Sequence, residues 1–498
     1  MTELLLGIDV GTASSKGVLA RPDGQITARA TREHATSSPR PGWFEHDAED
    51  VWWADVVALC HELLPHSEGN VAAVGISGIG PCVVPCDADD RPLRPAILYG
   101  VDSRAEREVE ELTDLLGADE ILARGGSTLS SQALGPKLAW LRRNEPEVWA
   151  LTRRWHMASS FAVARLTGTW ILDHHSASQC DPLYNLHASE WNREWADLVA
   201  PGLPLPPLAW PGEVVGHVQR AGAAATGLEP GTPVIAGTVD AWAEAASVGV
   251  RGPGELMLMY GSTMFLVLGV DEPARNPSIW TTHGVDPGSL PVAAGMATSG
   301  SLTSWLRDLF GGPPFDDLVN EAAEIAAGSH GLLVLPYFAG ERTPILDPSA
   351  RGTVIGLTLG HSRGHLYRAA LEGIAYGVRH NLEAIAPGSA PRAVAVGGGT
   401  RGDLWPQIVS DITGIPQEIP RETIGASYGD ALLAAEGAGL IAIGTTWAYP
   451  QRTLAPRPAH AALYDELYGF YRDLYIATAP LAHSLAALQN GNPPHRAS

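Results

Sequence analysis

Two segments of this chain, half its length apart, share one design. Leu5-Leu6-Gly7-Ile8-Asp9-Val10-Gly11-Thr12-Ala13-Ser14-Ser15-Lys16-Gly17-Val18-Leu19-Ala20 reads as two apolar strands joined by a turn of small and hydroxylated residues. Gly254–Leu268 repeats the theme, with strand Leu256–Tyr260, turn Gly261-Ser262-Thr263 and strand Met264–Leu268. A hairpin that recurs so far along predicts a duplicated α/β architecture of two similar lobes facing a central cleft. With 498 residues, the chain is also too long for one core.

The turn chemistry points to an anion. Gly11 lets backbone approach a ligand, Thr12, Ser14, Ser15 and the turn amides can donate to phosphate oxygens, and Asp9 can hold a hydrated magnesium ion. A strand, tight turn and second strand need glycine and Asx residues for conformational reasons too, so the hairpin alone leaves both readings open. Neither a P-loop nor a dinucleotide fingerprint follows a strand anywhere in the chain.

Composition narrows the partners. The formal net charge of −22 is spread along the sequence, which opposes binding to nucleic acid or anionic lipid. No apolar run reaches the roughly 18 residues of a membrane helix and no leader pattern opens the sequence, so the expectation is a cytoplasmic protein handling small molecules. Four cysteines in a chain of this size do not make a disulfide framework.

Further strands are expected at Ile26–Ala30 and Val71–Ile76, the latter leaving through the glycine-rich loop Ser77-Gly78-Ile79-Gly80-Pro81. Asp47 caps a helix running to Leu63, and helical patterns recur at Arg104–Leu116, Lys137–Arg143 and Ser159–Leu166. Strand Pro233–Ala236 enters Gly237-Thr238-Val239-Asp240, and a helix over Ala241–Val248 follows, for which Asp240 would serve as N-cap. Helices Ser301–Phe310, Asp316–Ala326 and Ser362–Ala386, strand Leu332–Pro336, and a third glycine turn, Gly397-Gly398-Gly399 after Val394-Ala395-Val396, complete the second half. His174-His175 has no metal-ligand spacing, since neighbours on a strand point to opposite faces.

Taken together these segments resemble the FGGY family of carbohydrate kinases, within it the xylulokinase-like branch, over nearly the whole chain. Asp9-Val10-Gly11-Thr12 is similar to the family's first phosphate motif, Gly237-Thr238-Val239-Asp240-Ala241 to its catalytic-aspartate segment, and Gly261-Ser262-Thr263 to its second phosphate motif. Gly352-Thr353-Val354-Ile355-Gly356-Leu357, seven residues, then His365-Leu366-Tyr367-Arg368-Ala369-Ala370-Leu371-Glu372 fits the C-terminal signature. Leu366, Ala370, Leu371 and Ile374 make a helix core stripe there, so the segment marks the family without carrying the reaction.

The resemblance implies the duplicated actin/hexokinase-like (ribonuclease H-like) fold. It divides the chain into an N-terminal lobe over 1–248 for sugar, phosphate and the catalytic aspartate, a nucleotide-binding lobe over 249–445, and a helical extension over 446–498. By resemblance Asp240 is the general base and Asp9 organises Mg2+. ATP is held by Gly11, Thr12, Ser14, Lys16, Gly261, Ser262, Thr263, Gly300, Ser304, Gly398, Gly399 and Asp403, and Gly80, Pro81, Asp102 and Arg104 face the sugar. A homodimer is compatible with it.

The match breaks on the acceptor side. The family's Met-His-Gly after the Leu-Ser-Gly loop is here Gly80-Pro81-Cys82, and its Trp-Asn-Asp-x-Arg is Tyr99-Gly100-Val101-Asp102-Ser103-Arg104. Losing a hydroxyl-reading side chain alters discrimination, so D-xylulose or a related ketose shares the field with gluconate, a polyol or a signalling sugar. Trp43 and Glu45 are further candidates for the pocket wall. A non-catalytic sugar sensor or actin-like assembly protein on the same fold is the rival from another class.

Overall fold

The computed structural model describes residues 2–67, 69–388, 391–422 and 424–489. The opening apolar run forms β1 (Thr2–Val10), which turns back antiparallel into β2 (Ser14–Ala20) and on to β3 (Ile26–Glu33). After helix α1 (Ala54–Leu63), β4 (Gly69–Gly78) lies parallel beside β1, placing Asp9 next to Lys16 on one side and Ser77 on the other. Strands β5 (Val214–His217) and β6 (Pro233–Ile235) give the sheet order β5-β6-β4-β1-β2-β3, and Thr238–Val239 pairs parallel with the end of β4 off that path. Leu4, Leu6, Ile8 and Val10 are buried, as expected of a central strand covered on both faces.

One cover is unusually close. A Cβ on Gly7 would lie 1.9 Å from the Ser427 carbonyl oxygen, and one on Gly75 2.2 Å from that of Asp430, so helix Ala426–Gly437 rests directly on the β1–β4 backbone.

The chain divides into two compact units that interleave in sequence. The first takes the residues up to Pro253, then Gly269–Pro291 and Ile424–Ala448; the second takes Gly254–Leu268, Val292–Thr423 and the residues from Tyr449. The second unit has its own sheet, built on β7 (Glu255–Tyr260), antiparallel to β8 (Met264–Val270) and parallel to β9 (Arg392–Val396). Helix α2 (Gly300–Leu309) follows its hairpin, and the signature segment forms the long helix Arg363–Ile385, capped by Ser362 and His365. Both units are α/β. The segment 446–498 is not purely helical: Pro450–Leu454 pairs antiparallel with Gln417–Pro420 before helix Ala461–Gln489.

His174 and His175 correct one expectation. They open a short helix, His174–Ser178, because Asp173 accepts the Ser176 N–H at 3.0 Å and so caps it. The His174 ring stacks on Trp210 with centroids 4.3 Å apart, and inside the core His175 donates from Nδ1 to the His283 carbonyl and accepts at Nε2 from the Gln179 amide. Since a carbonyl only accepts, the His175 nitrogen facing it carries the proton. Among the described residues no helix is long and apolar enough to cross a membrane.

Candidate active site

Each hairpin closes its turn in the same way. Gly11 N–H donates to the Ser14 carbonyl at 3.1 Å, and Gly261 N–H to the Thr263 carbonyl at 3.1 Å. A Cβ on Gly11 would lie 2.5 Å from Ser14 O, so the turn admits only glycine there. In the second hairpin Gly261 O accepts from Gly300 N–H and Ser262 O from the N–H groups of Ser299 and Ser301, each at 3.0 Å. Gly300, expected to touch nucleotide, spends its amide on the turn, and a Cβ there would lie 2.6 Å from Gly261 O. Its absence of a side chain is what lets α2 dock on the hairpin.

The glycine turn after β9 divides its labour. Gly397 has φ +91° and, like Gly399, packs too closely on Tyr260 for a side chain, whereas Gly398 is exposed with open space around it. Asp403 sits at the N-cap position of helix Leu404–Thr413 without capping it; its exposed carboxylate pairs with Arg452 at 2.8 Å. Ser304 is half-buried on α2.

Around the first hairpin the structure gathers carboxylates. Helix α3 (Asp240–Ser247) begins at Asp240 itself, and Val239 holds the N-cap position, so the expected capping role is not the one observed. One oxygen of Asp240 instead accepts the adjacent Ala241 N–H at 2.7 Å. Burial pushes Asp240 up to about 6, opposed by that N–H and by Lys16. Burial and the charge of Asp240 hold Asp9 well above the usual carboxylate range, with Lys16 pulling it down and Glu244 pushing it up. One turn along α3, burial and Asp240 push Glu244 up to about 7.

Asp430 joins from the returning helix. It is fully buried, accepts the Ser77 hydroxyl at 2.7 Å, and is held high by burial, with the charges of Asp9 and Asp240 adding to the effect. Neither Asp9 Oδ1 nor Asp430 Oδ1 has a hydrogen-bond partner among the described residues. Sequence reasoning missed both Glu244 and Asp430. The four-residue step from Asp240 was a readable signal for Glu244, but nothing local marks Asp430.

Residues 4–249 match the family model for the FGGY family of carbohydrate kinases, N-terminal domain, and residues 256–438 that for the C-terminal domain. The chain belongs to the FGGY family of carbohydrate kinases. It is 29% identical to a xylulose kinase of Lactococcus lactis over 97% of this chain and 98% of that protein. It is 28% identical to a gluconokinase of Bacillus subtilis, over 89% and 88%. The crystal structure of xylulose kinase from Rhodospirillum rubrum superposes with a TM-score of 0.88 at 30% identity, covering 96% of this chain and all of that one. The fold is accordingly the two-lobed actin/hexokinase-like one of FGGY kinases.

Of the residues expected on the acceptor side of this FGGY kinase, two are tied to each other. Asp102 and Arg104 form a closed pair, with Nη2 to Oδ2 at 2.7 Å and both side chains fully buried. Asp102 also accepts the Phe44 N–H at 2.7 Å; Arg104 also reaches Glu45 at 2.8 Å and lies 4.2 Å from the Trp43 ring centre. A desolvated ion pair needs all its partners, so Asp102 and Arg104, with Phe44, Glu45 and Trp43, brace the 99–104 loop.

Gly80 and Pro81 are placed differently. A Cβ on Gly80 would lie 2.6 Å from Val239, so this glycine brings its loop against the residue preceding Asp240. Pro81 is buried beside it. Lys137, on helix Leu134–Asn144, is buried as well, donates to the Ser131 carbonyl, and is lowered by burial to about 8 while Asp102 and Cys82 oppose the shift.

Proposed function

We propose that this carbohydrate kinase moves the γ-phosphoryl group of ATP onto a hydroxyl of D-xylulose or a related ketose, with Asp240 as general base. The observation that carries the reading is Asp240 itself. It is half-buried at the start of α3, directly after the residue that packs on the Gly80 loop, and raised toward neutrality while still ionised at pH 7. A base is most effective when its pKa lies near the working pH, and such a group typically contributes about 10²–10⁴-fold. Phosphoryl transfer asks little else of the protein than alignment and charge neutralisation.

The turn amides of the hairpins at Gly11–Ser14 and Gly261–Thr263 and the exposed Gly398 serve the phosphates of ATP in this reading, with Thr12, Lys16 and Ser262 as side-chain partners. Magnesium fits the residues present: Asp9 offers a hard oxygen with no other partner among the described residues. One carboxylate, waters and phosphate oxygens are how this ion is usually held. In this reading Asp9 would hold the ion through water, with phosphate oxygens and further waters filling its shell. When bound it would neutralise charge on the phosphates. We place the protein in the cytoplasm, with sugar and ATP as its partners and no nucleic acid; a homodimer is compatible with this reading.

A second reading, a sugar acid such as gluconate as acceptor, is favoured by one feature. The buried Lys137 amine beside Cys82 and Asp102 offers a cation close to a loop that has lost its neutral hydroxyl reader. ATP consumption against a panel of ketoses, polyols and aldonates, in wild type and Asp240→Ala, tests both. Ketose-stimulated turnover abolished in the variant supports the first reading, turnover confined to aldonates the second; no sugar-stimulated turnover at all rejects the kinase reading in favour of a sensor.

A further inference from the structure

The first hairpin's turn is held from behind by an ordered set of donors. Gly11 O accepts from His34 Nε2 at 3.1 Å, Thr12 O from the Thr36 hydroxyl at 2.9 Å, and Ala13 O from His34 N–H at 3.1 Å. Each trans peptide plane points its N–H opposite its carbonyl, so fixing the first two carbonyls aims the N–H groups of Thr12 and Ala13 the other way. Neither N–H has an acceptor among the described residues. The Thr12 hydroxyl is tied as well, 3.0 Å from the Tyr99 hydroxyl.

The two histidines behind the turn must differ in charge. His34 Nδ1 lies 2.7 Å from Asp55 Oδ2, which also accepts the Ser15 hydroxyl at 2.7 Å, and its Nε2 faces the Gly11 carbonyl. A carboxylate and a carbonyl only accept, so both ring nitrogens of His34 carry protons and the ring is a cation. His46 is the opposite case. Its Nδ1 accepts the Trp52 indole N–H at 3.1 Å, leaving Nε2–H to donate to the Thr36 oxygen at 3.0 Å, which hands its own proton to Thr12 O. That ring is neutral, and burial holds it near 4, with the charge of nearby His34 adding to the effect. The rings lie edge to face with centroids 5.1 Å apart, and Asp55 is the charged group facing them from α1.

We propose that His34, held as an imidazolium by Asp55, is a positioning residue of phosphoryl transfer: it orients the Gly11–Thr12 peptide so that the turn's free amides meet the phosphate of ATP, and places a positive charge behind them. This rests on the kinase reading. Its partner interactions explain the direction of its shift: burial works against the charge, but the bond and charge of Asp55 and the Gly11 carbonyl outweigh it and raise His34. The cation, and with it the grip, is present below that raised value and lost as pH rises through it.

The test compares wild type, His34→Leu, His34→Gln and Asp55→Asn. Loss of a bond from a charged donor predicts kcat/KM for ATP roughly ten- to a hundredfold lower in His34→Leu, with KM for the acceptor unchanged. His34→Gln, which keeps a donor for Gly11 O, recovers part of this and lacks the alkaline limb of the wild-type pH profile. Nitrogen NMR of labelled histidine shows both His34 nitrogens protonated at pH 7 in wild type and one in Asp55→Asn. ATP binding by calorimetry separates the two ideas. ATP bound about tenfold more weakly by His34→Leu, with no turnover of any acceptor even in wild type, sinks the kinase reading and with it the role in phosphoryl transfer, leaving only the grip of the turn on ATP. Equal ATP affinity in both proteins, or a neutral His34 at pH 7, overturns it, whatever the thermal stability of the variants.

Discussion

The two hairpins reach one turn geometry by different supports. The Gly261–Thr263 turn is held chiefly by backbone, the amides of Ser299, Gly300 and Ser301 at the start of α2. The Gly11–Ser14 turn is held chiefly by side chains, His34, Thr36 and Tyr99. A backbone support cannot titrate and tolerates any side chain the space allows, but it demands glycine where helix and turn touch. A side-chain support can be tuned by charge and lost by a single substitution. The acidic residues follow the same division, since Asp9, Asp240, Glu244 and Asp430 all lie in the first unit with the tunable hairpin.

The largest expected effect sharpens this contrast. Asp240→Asn should lower kcat by about 10²–10⁴-fold while ATP binding persists, whereas Ser262→Ala, at the exposed tip of the second turn, should leave kcat within a few-fold. A Ser262 loss as large as that of Asp240 would erase the distinction. Next comes Gly300→Ala, whose added carbon would meet Gly261 O at 2.6 Å. Forcing α2 off the turn should cost about 1–3 kcal/mol of stability, read as a lower melting temperature and a raised KM for ATP; an unchanged protein would show that the backbone support is dispensable.

The acid limb of the kcat profile should belong to Asp240. Since the base works only when deprotonated and burial holds Asp240 at about 6, kcat should fall as pH drops below about 6. The same limb should survive in Ser262→Ala, and a profile flat down to pH 5 in wild type would contradict the assignment. Ser301→Ala marks the small end. It removes a hydroxyl bond to Ser262 O at 2.9 Å but keeps the N–H on the same oxygen, so a change of about 0.5 kcal/mol or less is expected in denaturant melts.

Where the elements lie was legible because their signals are local: apolar runs for β1 and β4, small residues at both turns, the periodic stripe of Arg363–Ile385. Asp9 and Asp240 were legible as members of short motifs. The mutual pairing of Asp102 and Arg104 was not legible, because the motif names the residues and not their partners, and Glu45 and Trp43 close around them only in three dimensions. Asp430 was invisible for a related reason. Its significance comes from Ser77, Asp9 and Asp240, all far away in sequence. His174-His175 went wrong locally, because a preceding aspartate can cap a helix as readily as end a strand.

The close seat of Ala426–Gly437 on Gly7 and Gly75 also sets a timetable. A ribosome adds about 5–20 residues per second, so the bare glycine face of the first sheet emerges tens of seconds before the helix that covers it. Until then the nascent lobe exposes two central strands to anything apolar, and a fragment cut after Pro253 should keep that exposure permanently and aggregate where the full chain does not.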